Sequence, residues 1–217
     1  MLTTLLQPTS GTLLVNGFDP LTQQDQVRHS FGIVFQDPSL DERLTAYENL
    51  EFHGVLYGMS KQLRRKRAEE LLQLVDLWSR KDDLVQNFSG GMRRRLEIAR
   101  GLLHHPNILY LDEPTLGLDP QTRNHLWEYV QSLNKAEGVT VFFTTHYMEE
   151  AERNANRIAI IDNGRIIASG TSEELKAQTK SGSLEEAFLA LTGHTMRDEE
   201  SNRKQIANQI QQRVYKR

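Results

Sequence analysis

Two adjacent carboxylates, Asp112 and Glu113, directly follow a run of four apolar residues at 108–111. A short and wholly apolar run is typical of a buried parallel strand, and ligands bind at the carboxyl edge of such sheets. At that edge Asp112 could hold Mg²⁺, directly or through water, and Glu113 could accept a proton from an attacking water. The alternative is a surface pair or a helix N-cap in a loop, which we would favour if the pair stood alone.

The pair does not stand alone, because a glycine turn and a helix precede it. Ser89-Gly90-Gly91 opens the segment, and His105-Pro106-Asn107 is expected to end it. Between them, apolar residues recur at helical spacing: Met92, Leu96, Ala99 and Leu103. Glycines let a backbone come close to a ligand, and the free N–H groups at a helix start attract phosphate. The glycine turn is followed by the acidic pair and then by Gly117-Leu118-Asp119. This combination of motifs is a far more specific signal than any one of them alone.

The order of these motifs resembles the nucleotide-binding subunit of an ABC (ATP-binding cassette) transporter. Ser89-Gly90-Gly91-Met92 is similar to the signature loop of that family, usually LSGGQ, with Phe88 and Met92 replacing the outer two residues. The segment SGGMRRRLEIARGL resembles ATPases of drug-resistance exporters of the daunorubicin kind more than importers. The resemblance covers about residues 1–193 and implies an α/β, ABC-type P-loop NTPase fold with a helical signature subdomain at about residues 37–88.

The resemblance also implies a catalytic centre that binds ATP and Mg²⁺. Residues 108–113 are similar to the Walker B strand with its catalytic glutamate, so Asp112 would hold Mg²⁺ and Glu113 would polarise the water. Gln36, after a predicted strand, would be the Q-loop glutamine and a second Mg²⁺ ligand. His146, directly after another predicted strand, would contact the γ-phosphate and steady the water. Taken alone, Gln36 could be only a polar cap, and a lone histidine after a strand is more often structural.

Partners follow from the same resemblance. In this family two subunits stack head to tail, so Ser89, Gly90, Gly91 and Met92 would clamp the ATP held by a second nucleotide-binding subunit. Asp119, in the segment that resembles the D-loop, would couple the two sites. Closure of the pair would drive a separate membrane permease. The second subunit could be an identical or a different chain, and we expect no nucleic-acid partner.

The 217 residues contain no GxxxxGK[ST], the Walker A phosphate loop of this family. The leucine-rich residues 1–6 resemble the end of the helix that follows this loop. We therefore expect the chain to lack the N-terminal strands and the Walker A loop, through truncation or a misplaced start codon. The backbone N–H groups and the lysine of that loop hold the β- and γ-phosphates. On this expectation, the chain alone binds ATP weakly and does not hydrolyse it measurably.

Local patterns predict further elements. Strands are expected at residues 12–15, 31–35 and 139–145, the last of them central in the sheet. Asn163-Gly164 predicts a β-hairpin. A Ser or Thr followed three residues later by Glu predicts a capped helix start at three positions: Thr45, Thr171 and Ser183.

A basic run, Arg64-Arg65-Lys66-Arg67, lies on a helix predicted to start near Ser60. We expect this helix to bury Leu63, Leu71, Leu72 and Val75. A run of like charges is usually a solvated face, which is our main interpretation. The alternative is a docking surface for a transporter loop or for lipid headgroups.

Composition narrows the class of protein further. The net charge is −3 and 25% of the residues are charged, so a general nucleic-acid or anionic-membrane footprint is not indicated. The sequence has no cysteine, which excludes disulfides and thiolate metal sites. No apolar run reaches the roughly 18 residues of a membrane span. We expect a cytoplasmic protein, peripheral on the inner face of the cell membrane, with a polar tail at residues 194–217.

Two other functions remain open at this point. The first is a non-transport ABC ATPase, such as a ribosome-associated factor or a DNA-repair enzyme. Those proteins usually need a second cassette, a long coiled coil or a basic arm, and none is visible in the sequence. The second is a non-catalytic cassette that keeps the signature face and pairs with an intact ABC subunit.

Overall fold

The computed structural model describes residues 1–193, which form two compact units. The first unit spans Met1–Thr145, and the second begins at His146. The helices of the first unit are α1 (Gln24–Ser30), α2 (Ala46–Leu56), α3 (Lys61–Leu74), α4 (Gly90–Gly101) and α5 (Pro120–Glu137). Its strands are β1 (Phe31–Val34), β2 (Ile108–Asp112) and β3 (Thr140–Thr144), and short 3-10 helices lie at Trp78–Arg80 and Val85–Asn87. The predicted tail at residues 194–217 lies outside the described residues.

The three strands of the first unit form a parallel sheet in the order β1-β2-β3. Phe31 pairs with Ile108, and Asp112 pairs with Thr144. Strands were predicted at these places, and all three are confirmed. The last strand, however, lies at an edge of the described sheet rather than in its centre, so that part of the prediction is wrong. Its β-branched and aromatic residues favour a strand but do not specify which neighbours it has.

Helix α4 lies directly on the sheet through two glycines. A Cβ atom added to Gly32 of β1 would lie 2.0 Å from the carbonyl oxygen of Gly101 in α4 and 2.7 Å from its carbonyl carbon. A Cβ added to Gly101 would lie 3.3 Å from Leu109 of β2. The close approach therefore holds the signature helix against the two strands that carry the predicted site residues.

Replacing Gly32 with alanine is expected to lower the free energy of unfolding by about 1–3 kcal/mol. The added methyl group would overlap a main-chain carbonyl, and neither the helix backbone nor the strand backbone can turn aside as a side chain could. Denaturant unfolding followed by circular dichroism measures the loss. Gly90→Ala is the matched control, since its added Cβ would meet only Leu118 at 3.9 Å. Equal midpoints for Gly32→Ala and Gly90→Ala would contradict the close packing.

Between β1 and α4 the chain is helical and encloses a leucine-rich core. The capping box at Thr45 and Glu48 starts α2, and Ser60 caps α3, both as predicted. Leu71 and Leu72 of α3 are fully buried, which confirms that part of the prediction. Leu63 is 43% exposed, so its predicted burial is wrong.

The basic run on α3 is solvated only in part: Arg65 and Lys66 are exposed, as our main interpretation expects, whereas Arg64 is half-buried and Arg67 is buried. Arg67 is buried and forms two hydrogen bonds with the Glu137 carboxylate, at 2.9 and 2.7 Å. Arg64 donates to the Met59 carbonyl oxygen at 2.6 Å and pairs with Glu51 at 3.4 Å. Partners distant in sequence neutralise these guanidinium groups, and a local charge pattern cannot reveal them.

The predicted strand at residues 12–15 is wrong. The segment makes one isolated antiparallel bridge, in which Val15 and Phe18 exchange two hydrogen bonds at 2.9 and 3.0 Å. Asn16 and Gly17 between them have positive φ angles of 51° and 82°, which asparagine and glycine tolerate in a tight turn. The tight turn therefore forms without a strand on either side.

Residues 1–6 form turns rather than the helix end that we expected. Helix α1 was not predicted, because it has seven residues and no side-chain cap on Gln23. Tertiary packing holds it instead. Its Val27 is fully buried and shares a small cluster with Phe31 and Tyr110 of the sheet.

Over residues 146–193, the second unit contains a hairpin and three helices. Its elements are α6 (Met148–Asn154), β4 (Ile158–Asp162), β5 (Arg165–Gly170), α7 (Ser172–Thr179) and α8 (Leu184–Thr192). The hairpin is confirmed, and its turn residues Asn163 and Gly164 have φ angles of 46° and 76°. Across residues 1–193, none of the helices combines the length and apolar character that a membrane span requires.

Two capped helix starts were predicted in this unit. Thr171 and Glu174 form the full capping box at the start of α7. At α8, Ser183 accepts the N–H of Glu186, but the Glu186 carboxylate accepts the N–H of Gly182 instead of closing on Ser183. The cap is therefore present in both helices, and the reciprocal bond is shifted by one residue in the second.

Candidate functional site

The predicted catalytic residues of the first unit share one edge of the sheet. Strands β1 and β2 are parallel and in register to their last residues, so their carboxyl ends meet. Gln36 lies two residues beyond β1, while Asp112 ends β2 and Glu113 follows it. Loops at the carboxyl edge of a parallel sheet are where α/β proteins bind ligands.

Thr144, at the end of β3, organises the acidic pair. Its hydroxyl group donates a hydrogen bond to the Asp112 carboxylate at 2.5 Å and accepts one from the Glu113 N–H at 3.0 Å. Glu113 has a left-handed backbone, with φ of 44°, which is a strained conformation for a residue with a side chain. Thr144 was not predicted as a site residue, because nothing in the sequence marks it apart from other strand threonines.

The oxygen donors at this edge fit Mg²⁺ that is bound together with phosphate. Asp112 is exposed at the end of its strand. Within residues 1–193, no group of three or more His, Cys, Asp or Glu side chains could hold a metal ion by itself. Mg²⁺ typically uses one or two carboxylates together with substrate phosphates and waters. The donor set therefore suits a metal that arrives with a nucleotide rather than one in a protein cage.

The start of α4 is an exposed helix N-terminus. Ser89 caps it by accepting the N–H of Met92 at 3.3 Å. A Cβ on Gly91 would lie 2.5 Å from the Thr122 methyl group, so Gly91 lets the start of α5 pack closely. Gly90 is exposed and has no such neighbour, which leaves room for a ligand to approach its backbone.

Asp119 acts as the N-cap of α5. Its carboxylate accepts hydrogen bonds from the Thr122 hydroxyl at 2.6 Å and from the Thr122 N–H at 3.0 Å. These bonds lower the pKa of Asp119 below its ordinary value. The cap positions the segment that resembles the D-loop, while the coupling role of Asp119 stays a prediction. His146 is the first residue of the second unit, with its ring 4.1 Å from that of Tyr147, and its role also stays a prediction.

Two residues of α4, Arg94 and Glu97, belong to this edge and were not predicted. Both are buried, with 7% and 1% exposure. The Arg94 guanidinium donates to four main-chain carbonyl oxygens at the carboxyl ends of β1 and β2 and just beyond them: those of Phe35 (2.5 Å), Asp112 (2.9 Å), Glu113 (3.1 Å) and Pro114 (2.8 Å). Glu97 pairs with Arg94 at 3.1 Å and accepts the N–H of Ser39 at 2.8 Å. The sequence feature that could have revealed them is an Arg and a Glu three positions apart, which lie on the same face of a helix.

Comparison with known proteins identifies the family. The sequence profile of the ABC transporter family matches residues 1–116. The chain therefore belongs to the ABC transporter family, as its motifs predict.

One curated relative is the daunorubicin/doxorubicin resistance ATP-binding protein DrrA of Streptomyces peucetius. It is 47% identical to this chain over 184 residues, which are 85% of this chain and 56% of that protein. The chain thus spans little more than half the length of this relative. The identity agrees with the predicted similarity to daunorubicin-type exporter ATPases.

Solved structures confirm the predicted ABC-type fold class. CbiO1 from Clostridium perfringens, part of the ABC transporter complex cbiONQ, is 28% identical with a TM-score of 0.75, covering 82% of this chain and 72% of that one. A dimeric ATP-binding cassette in a post-hydrolysis state, bound to ADP and phosphate, is 30% identical with a TM-score of 0.66. That match covers 78% of this chain and 76% of the other.

Proposed function

We propose that this chain is the ATP-binding and ATP-hydrolysing part of an ABC exporter that energises a separate membrane permease. One observation carries the proposal: Asp112 and Glu113 end the central strand of the sheet beside the loop that contains Gln36. The resistance function in the name of DrrA supports an exporter of drug-like molecules. The proposed ATPase domain covers residues 1–193, with its helical subdomain at about residues 37–88.

The predicted site residues have distinct tasks in this proposal. Asp112 and Gln36 hold Mg²⁺, which neutralises charge on the nucleotide phosphates when it is bound. Glu113 accepts a proton from the attacking water, and its backbone is fixed by the hydrogen bond to Thr144. His146 steadies the water with the γ-phosphate. Phosphoryl transfer needs little beyond such positioning and charge neutralisation.

The signature turn acts across a dimer. Ser89, Gly90, Gly91 and Met92 bind the phosphates of ATP held by a second nucleotide-binding subunit, and Asp119 links the two sites. The exposed, glycine-lined start of α4 supports this assignment, because free N–H groups at a helix start attract anions. The similar cassette with ADP and phosphate is itself dimeric.

The permease binds beside the Gln36 loop. A groove of about 250 Å³ lies there, lined by Ser39, Asp41, Asn49, Phe52, His53, Leu56 and Arg100. Phe52 and Leu56 of α2 are 59% and 66% exposed, so they offer an apolar surface to a partner. Burial lowers the pKa of His53 to about 3, so this ring is neutral in the groove at neutral pH. Binding there would place the chain at the inner face of the cell membrane.

Gly90→Asp tests the proposed function. We define the extended chain as this chain with an ABC-type segment carrying GxxxxGK[ST] joined ahead of Met1, reconstituted with its permease. The variant is expected to lower ATP hydrolysis by about 10²-fold or more, because a carboxylate would stand where the second subunit's phosphates bind. The stability of the folded chain should not fall, since an acidic residue in the first helical turn is favourable.

Gly90→Ala is the neutral comparison, and its loss of activity should be much smaller. Activity is measured as phosphate release, and stability as the thermal unfolding midpoint. Wild-type turnover in Gly90→Asp, with an intact dimer, would remove the signature turn from ATP binding. No turnover in the extended chain itself would overturn the proposed ATPase function.

A further inference from the structure

The first unit contains a buried ion pair that the proposed catalytic steps do not use. Arg94 and Glu97 lie one turn apart on α4, and their charged groups are 3.1 Å from each other. Removing both charges from water is costly, and a well-packed apolar pair is often at least as stable. The location of this pair therefore needs a reason other than stability.

Glu97 and Arg100 of α4 together hold the loop after β1. Glu97 accepts the N–H of Ser39 at 2.8 Å, and Arg100 donates to the carbonyl oxygen of the same residue at 2.6 Å. Ser39 lies three residues beyond Gln36. The main-chain N–H and C=O groups of Ser39 are thus bound to the signature helix instead of to water or to a strand.

Arg94 holds the turn after β2 in the same way. Besides the Glu97 carboxylate, Arg94 donates to four main-chain carbonyl oxygens, three of them in the consecutive residues 112–114 and one at Phe35. One planar guanidinium group therefore ties the acidic turn to the end of β1. Main-chain acceptors set where the backbone lies, whatever side chains the turn carries.

The neighbouring arginines of α4 make different contacts. Arg93 pairs with Glu42 at 2.6 Å, three residues beyond Ser39 in the loop after β1, and donates to the Gln86 carbonyl oxygen. Arg95 donates to the Val75 carbonyl oxygen at 2.9 Å. Neither has a described hydrogen bond to Ser39 or to the turn after β2. The contacts to the sheet edge therefore belong to Arg94 within this arginine run.

We propose that Arg94 and Glu97 are positioning residues that set the spacing between the Gln36 loop, the Asp112–Glu113 turn and the signature helix. A movement of the Gln36 loop, where the proposed permease groove lies, then reaches the acidic turn through two side chains. This inference rests on the proposed ATPase function, because it assigns the pair to the same site. Neither residue touches the nucleotide in this assignment.

The first experiment measures the link itself, by amide hydrogen exchange on the 217-residue chain. Glu97→Gln places an amide N–H₂ group against a guanidinium, so exchange at Ser39 should rise about tenfold. Arg94→Gln should raise exchange across residues 112–116 by a similar factor. Arg95→Gln, which removes one charge from the same helix and whose described hydrogen bonds go to Val75 and Tyr129, should change neither segment. Unchanged exchange in both test variants, or an equal rise throughout the unit, would overturn the inference.

An apolar double variant, Arg94→Met with Glu97→Leu, guards against simple misfolding. It removes both charges together, so no single buried charge is left unpaired. Its unfolding midpoint should stay closer to wild type than that of either single variant. Exchange at Ser39 and at residues 112–116 should nevertheless stay raised. Wild-type exchange in a folded double variant would contradict the proposed role.

The second experiment measures kinetics in the extended chain, well below the unfolding midpoints. Arg94→Lys and Glu97→Gln should lower kcat by about tenfold or more, since a misplacement of about 1 Å can cost on the order of 10²-fold. The KM for ATP should change little, and the Mg²⁺ concentration for half-maximal activity should rise. A merely structural pair would reduce the active fraction without altering the Mg²⁺ dependence. Glu128→Gln, an exposed carboxylate on α5, is the control with unchanged kinetics.

The two proposals fail in different ways. If the wild-type extended chain does not hydrolyse ATP, the proposed function is wrong, and the exchange experiment still decides whether the link exists. If the wild type turns over and both variants keep its kcat and Mg²⁺ dependence, the positioning role is wrong and the ATPase function stands.

Discussion

Glu113→Gln in the extended chain is expected to lower ATP hydrolysis by about 10²–10⁴-fold while ATP binding is retained. Glutamine keeps the size and the left-handed backbone requirement of Glu113, and its main-chain N–H can still bond to Thr144. Only the capacity to accept a proton is lost. Because the proposed dimer closes around ATP, a variant that binds ATP without hydrolysing it should also accumulate as a closed, ATP-bound dimer.

The matched comparison is Asp112→Asn at the adjacent position. Asp112 is assigned to Mg²⁺, so this variant should weaken Mg²⁺-dependent ATP binding as well as hydrolysis. Phosphate release, binding of a fluorescent ATP analogue and size-exclusion chromatography with ATP distinguish the two variants. Wild-type turnover in Glu113→Gln would rule out the assignment of Glu113 as the base.

Glu137→Gln is expected to destabilise the first unit by about 3–5 kcal/mol. Glu137 makes two hydrogen bonds to Arg67, whose side chain is only 5% exposed. The substitution leaves that buried guanidinium group with only the more exposed Glu70 carboxylate, at 3.3 Å, to offset its charge. It also loosens the junction between α3 and the end of α5. Urea unfolding followed by intrinsic fluorescence measures the change.

Glu70→Gln is the control for this effect. Glu70 also pairs with Arg67, at 3.3 Å, but its side chain is 46% exposed. Exposed ion pairs contribute only about 0–1 kcal/mol, so this variant should unfold almost like the wild type. Equal losses for Glu70→Gln and Glu137→Gln would show that burial of the pair is unimportant.

The effect of Glu137 should also depend on pH. Hydrogen bonds from Arg67, together with the charges of Arg67 and His105, hold the pKa of Glu137 below its ordinary value of 4.5. A carboxyl group whose pKa is depressed by folding adds stability above the pKa of the unfolded chain and loses it as pH falls through the folded value. The advantage of wild type over Glu137→Gln should therefore be full at neutral pH and shrink below about 4.5. If the stability advantage of the wild type stayed constant as the pH fell below the pKa of Glu137 in the folded chain, an ionic origin would be excluded.

Local chemistry was enough to predict several elements. Thr45 and Thr171 start helices because each side chain satisfies a main-chain N–H three residues on, a geometry that depends on nearby residues alone. Asn163-Gly164 forms a hairpin turn because both residues tolerate positive φ. The order of the glycine turn, the apolar strand and the acidic pair likewise predicted the family that comparison confirmed. The roles of the individual site residues stay predictions.

Local sequence patterns were sufficient to predict the helix caps, the hairpin, the strand that ends in Asp112 and the family. Which charged residues are buried depends instead on packing in three dimensions. Arg67 meets Glu137 from 70 positions away, and Glu97 meets Ser39 from 58. Packing also decided that α1 is a helix and that residues 12–15 are not a strand. The physical reason is that a charge or a short segment takes its free energy from its neighbours in space, and in a folded chain those neighbours lie far away in sequence.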